Sequence, residues 1–80
     1  MDDATIHERI EQLVIEEHVV WRRETEGAVD DATRARLHEL QIALDQSWDL
    51  LRQRKALRAA HLDPDAAVVR DPDIVENYRQ

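Results

Sequence analysis

Apolar residues recur at helical spacing along most of the chain: Ile6, Ile10, Leu13, Val14, Val20 and Trp21, then Leu37, Leu40, Leu44, Trp48 and Leu51. Steps of three and four residues keep such positions on one face, because a helix turns roughly 100° per residue. The first helix is expected over about 4–26, capped by Asp2, Asp3 or Thr5. Gly27, the single glycine, sits where the residue past a helix end adopts positive φ. Val29-Asp30-Asp31-Ala32-Thr33 restarts the chain with an aspartate cap, and no Pro or Gly follows until Pro64. A second helix is therefore expected over about 32–60. Asp63-Pro64-Asp65 and Asp71-Pro72-Asp73 repeat one signal, a capping Asp with Pro at the first helical position. They predict two short helical turns in a C-terminal segment, 62–80, the second a helix over about 72–79 carrying Ile74, Val75 and Tyr78. Val68 and Val69 fall in an extended link between them. The whole is one all-α domain, residues 1–80.

A short connection between two long helices makes an antiparallel hairpin. With the turn at Gly27–Asp30, residues whose numbers add to about 57 stand level, so Ile6 faces Leu51, Leu13 faces Leu44 and Glu17 faces Leu40. Ile15 and Val19 point away from the second helix, and Ala43, Leu50 and Leu57 form a second stripe on that helix beside the main one. Together the two stripes cover about half of the second helix, more than one neighbour buries. The C-terminal segment covers part of this surface and a second copy the rest, so a homodimer in the form of a four-helix bundle, with coiled-coil-like packing, is expected. Ile15, Val19, Ala43, Leu50 and Leu57 are its candidate interface.

Composition sharpens this picture by exclusion. Of 80 residues, 36% are charged and none is Phe or Cys, so the core is aliphatic, small and in need of a partner. Without Cys there is no disulfide and no thiolate metal site. The acidic Met1-Asp2-Asp3-Ala4-Thr5 leads into no apolar core of a signal peptide, and no apolar run approaches the roughly 20 residues of a membrane span. A soluble, cytoplasmic protein without membrane contact is the expectation.

The net charge of −7 opposes binding to nucleic-acid phosphates, but its distribution is uneven. Residues 1–33 carry ten acids and three bases, residues 34–61 three acids and six bases. Arg52, Arg54, Lys55 and Arg58 form a candidate basic surface for a nucleic-acid-associated regulator. The plainer interpretation is a helix C-terminus neutralised by Asp2 and Asp3 of the first helix.

Candidate chemistry is sparse. Glu17 projects from the apolar face of the first helix and is the candidate buried polar residue, with Arg36, His38 or Gln41 as partners. Glu17, His18 and His38 are the only grouping that suits a small helical-bundle enzyme or metal-binding protein, and it offers two or three ligands without a Glu-x-x-His motif. Trp21 and Trp48, beside leucines at helical spacing, are core or bundle-edge residues before they are partner hot spots, and Arg9 is expected beside Trp48, pairing with Asp45 or Asp49. No glycine-rich phosphate loop and no Ser–His–Asp arrangement occurs. No catalytic residue, cofactor or metal is assigned.

Leu44-Asp45-Gln46-Ser47-Trp48-Asp49-Leu50-Leu51-Arg52-Gln53-Arg54-Lys55-Ala56-Leu57-Arg58, followed by Leu62-Asp63-Pro64-Asp65 and Val75-Glu76-Asn77-Tyr78, closely resembles a family of small actinobacterial proteins known as domain of unknown function 2630. The resemblance covers essentially the whole chain. It implies a short, free-standing protein and brings no activity, cofactor or catalytic residue with it. His61 stands where the family pattern implies glycine, so the helix ends less sharply there or His61 takes a left-handed conformation. A looser likeness to all-helical chorismate mutases fails, since the third helix is too short and the basic groups sit at one end. A non-enzymatic assembly or interaction protein, acting on another copy or another protein, is the leading expectation.

Overall fold

The computed structural model describes residues 1–25, 27 and 30–78. It is all-helical among these residues: α1 spans Asp3–Thr25, α2 spans Asp31–Ala59, a 3-10 turn spans Pro64–Ala66 and α3 spans Pro72–Tyr78. The caps follow from local chemistry. The carboxylate of Asp2 accepts from the Thr5 N–H at 2.8 Å, and that of Asp30 accepts from the Thr33 N–H at 2.7 Å. Each satisfies a donor that a helix start leaves without a partner. Asp63 and Asp71 accept in the same manner from Asp65 and Asp73, two residues on. Gly27 has φ +82°, as the turn requires; Glu26 and Val29, named in the expected turn, lie outside the described residues.

The end of α2 is closed without glycine. His61 has φ +60°, its N–H bonds the Arg58 carbonyl at 3.0 Å, and the Leu62 N–H bonds the Leu57 carbonyl at 2.8 Å. That pair of backward bonds is the Schellman closure, which places one residue in the left-handed region. For a side chain with a Cβ this conformation costs about 1–2 kcal/mol. The helix therefore ends sharply, and the strain sits on His61.

α1 and α2 pack antiparallel, with Asp3 beside Arg54, His7 against Trp48 and Glu16 beside Arg36. Their shared core is Ile6, Ile10, Leu13 and Val20 from α1 and Leu40, Leu44 and Leu50 from α2. Ile6 and Leu40 are each 1% exposed. The C-terminal segment, residues 63–78, then runs back along α2, touching it through the 3-10 turn and through α3. α2 is thus the central element, with α1 on one side and this C-terminal strap on another.

The radius of gyration is 14.9 Å, against about 12 Å for a compact domain of this length. With extents of 50 × 25 × 16 Å the molecule is long and thin, so the outer faces of its helices remain in water.

Candidate functional site

The best-defined polar structure lies along α2, where Gln46, Asp49, Gln53 and Arg54 share one face and grip the strap. The Gln53 side-chain amide donates to the Val68 carbonyl at 2.7 Å and accepts from the Val68 N–H at 3.2 Å. Gln46 donates to the Arg70 carbonyl at 3.1 Å. Asp49, 0% exposed, accepts from the guanidinium of Arg70 at both oxygens and from Gln53 at 2.9 Å. Arg54, 6% exposed, donates to Asp3 at 2.5 Å, to Asp65 at 2.8 Å and to the Pro64 carbonyl at 3.2 Å. Buried charges persist only when paired and hydrogen-bonded, and both of these are.

The electrostatics match the geometry. Hydrogen bonds from Arg58 and then Arg54 hold the Asp3 carboxyl at about 2. Arg70 lowers Asp49 against the opposing effect of burial, and Arg54 lowers Asp65. These carboxylates are fixed as anions by structural partners, which suits staples and not proton transfer.

This ladder corrects several sequence expectations. Leu50, expected on an outer face for a second copy, is 8% exposed and belongs to the hairpin's own core. Ala43 and Leu57 are partly covered. The second stripe of α2 is the floor on which the strap lies, so its apolar surface is used within the chain. Arg54, a member of the candidate basic surface, is interior, and its bond to Asp3 is the neutralisation by the start of α1 that the charge distribution favours. Of the two aspartates expected to hold Arg9, Asp45 and Asp49, the second is taken by Arg70; Arg9 lines a crevice with Ile6, Ala43, Ser47 and Val69. Asp49 and Gln53 hold the strap without any signal in the helical period, since their partners Arg70 and Val68 lie 21 and 15 residues away.

Trp48, expected in the main core stripe, is 43% exposed at the hairpin's edge, with the His7 ring edge-on at 6.2 Å. It stands in an open groove of about 290 Å³ with Leu51, Arg52, Lys55 and Arg58. Arg58 is tied to Asp3 at 2.7 Å, and Arg52 lies 3.5 Å from Asp49. The remaining cation of the groove, Lys55, is exposed.

Glu17 is half-buried, and of the three partners expected for it Arg36 bonds Glu16 at 2.6 Å and Glu39 at 3.1 Å instead. His18 and His38 are exposed. Among the described residues no three of His, Cys, Asp and Glu come together as a metal site, and no helix is long and apolar enough to cross a membrane.

The outer face of α1 is the remaining feature. Ile15 is 61% exposed and Val19 47%, one turn apart on the side away from α2. The opposite face of the same helix supplies Ile6, Ile10, Leu13 and Val20 to the core. A surface helix with apolar residues on both sides has one side more than a single hairpin covers.

Set against known proteins, residues 2–80 match the family model described as "Protein of unknown function (DUF2630)". Uncharacterized proteins of Mycobacterium tuberculosis and Mycobacterium bovis are 42% identical over 77 residues, covering 95% of this chain and 88% of their own. No solved structure matches the chain.

Proposed function

We propose that this chain, which belongs to the DUF2630 family of proteins of unknown function, is a small non-enzymatic assembly protein that acts through protein–protein contacts, first of all with a second copy of itself. The observation that carries this is the outer face of α1, where Ile15 and Val19, one turn apart on the side opposite the core, remain 61% and 47% exposed. The buried carboxylate of Asp49 is tied to Arg70, and the half-buried one of Asp3 to Arg54 and Arg58, as staples of the fold. The expected seam of Ile15, Val19, Ala43, Leu50 and Leu57 therefore narrows to Ile15 and Val19. Size exclusion with light scattering tests it: the mass of a dimer is expected at micromolar concentration, and Ile15→Glu should return the monomer with unchanged helical circular dichroism. Leu50→Glu should unfold the chain instead. A parent chain that stays monomeric overturns the proposal.

A second reading, association with an anionic partner such as nucleic acid, is favoured by one observation, the exposed Trp48 beside Lys55 in an otherwise acidic molecule. It requires retention of single-stranded DNA at low salt and release as salt rises.

A further inference from the structure

The exposed face of α1 has a charge order that specifies how it can be covered. Glu8, Ile15 and Arg22 are all exposed and follow one another at intervals of seven, with Glu11 and Val19 beside them on the same face. Residues seven apart lie almost on one line, roughly 10 Å apart along the axis. The line therefore reads acid, apolar, base.

We infer that this face binds the same face of a second copy, antiparallel, about a twofold axis passing beside Ile15. Turned end for end, Ile15 meets Ile15, Val19 lies over the aliphatic stem of Glu11, and Glu8 comes opposite Arg22 at both ends. A parallel seam would set Glu8 against Glu8 and Arg22 against Arg22, repelling at each end. The charges choose the direction and the apolar residues supply the area removed from water. A twofold contact uses one patch twice and closes on itself, so it gives a dimer and not a filament. The two α1 helices become the centre of a four-helix assembly, with each α2 and its strap outside. The seam rests on the homodimer proposed above and adds its face and direction.

The chain has no cysteine, so introduced thiols report neighbours directly. Ile15→Cys, on the axis, should link to itself under mild oxidation. Glu11→Cys mixed with Val19→Cys should give the mixed disulfide dimer in clear excess over either self-linked one, whereas a parallel seam gives self-linked species. Glu8→Arg should weaken dimerisation about tenfold, Arg22→Glu likewise, and the double exchange should restore it, as expected for a directly facing pair. Circular dichroism establishes that each variant remains folded. Mixed linking no greater than self-linking, or a double exchange no better than the single ones, overturns the antiparallel seam. If light scattering still shows a dimer in that case, assembly stands and this seam falls; a monomer removes both.

Discussion

The two seams of α2 draw on different mixtures of apolar burial and polar bonding. Against α1 it presents Leu40 and Leu44, whose partners are Ile6, Ile10, Leu13 and Val20. Against the strap it presents Gln46, Asp49, Gln53 and Arg54, whose partners are backbone atoms and charges, beside the apolar contact made by Ala67 and the fully buried Val75. The first seam is non-directional and tolerates any packing that fills the space. The second requires particular donors to meet particular acceptors, and each bond left unmade exposes a desolvated polar group to cost without return. One seam decides whether the chain folds, the other where its C-terminal segment lies.

The difference can be broken first on the apolar side. Leu40→Ala removes a side chain that is 1% exposed from the middle of the shared core. The loss is expected to be about 4 kcal/mol, within the range for large-to-small core changes. A chain of 80 residues has only about 4–12 kcal/mol in total. Loss of most helical signal at 25 °C, with α1 and the strap melting together, is the expected result; a separate transition for the strap would contradict it.

On the polar side the effect is smaller and local. Arg70→Ala leaves Asp49 buried with Gln53 at 2.9 Å and Arg52 at 3.5 Å, so a cost of about 2–3 kcal/mol is expected, below that of stranding a charge entirely. Hydrogen exchange should accelerate over residues 63–78 and stay slow at Leu13 and Leu44. Uniform acceleration would show that strap and hairpin are a single cooperative unit.

Acid separates the seams without mutation. Asp49 and Asp65 have folded pKa values below those of the unfolded chain, and Asp3 lies at about 2. Groups depressed in the folded state stabilise it above their unfolded values, near 4, and that contribution is lost as pH falls toward the folded ones. The strap and the start of α1 should therefore loosen between about pH 4 and pH 2, and added salt should bring this on earlier for half-buried Asp3 than for fully buried Asp49. Amide exchange or strap resonances followed across that range would check it; equal loosening of the Leu40 region would erase the distinction between the seams.

How much of this was legible in the sequence follows from the same contrast. Ile6, Leu13, Leu40 and Leu44 announce themselves by period, since helix geometry repeats and apolar burial needs only the repeat. Asp30 and Gly27 announce themselves because a cap and a left-handed turn have strong residue preferences. Leu50 was misassigned because period alone says that a face is apolar, not which neighbour covers it. Asp49 and Arg54 look like any charged residue on a helix surface until the turn at Pro64 brings back Asp65 and Arg70. Pairing across 11 to 21 residues has no local signature, so the polar seam had to await the fold. Trp48 erred the other way: its place in the leucine stripe is real, but the stripe is wider than α1 and leaves it at the rim.

His61 joins the two seams, since it closes α2 and begins the strap, and it offers the smallest and most diagnostic change. Its φ of +60° is held by the backward bonds from His61 and Leu62 to Arg58 and Leu57. His61→Gly removes the steric cost of that conformation, about 1–2 kcal/mol, and adds the greater unfolded-state entropy of glycine, about 0.5–1 kcal/mol. A net gain of about 0.5–1 kcal/mol is expected, a rise of a few degrees in the thermal midpoint for a chain of this size. Since the imidazole is exposed, little packing is lost with it. A lowered midpoint would mean that the side chain of His61 holds the turn, and that the closure of α2, like the strap it leads into, is fixed by specific polar contacts and not by backbone geometry.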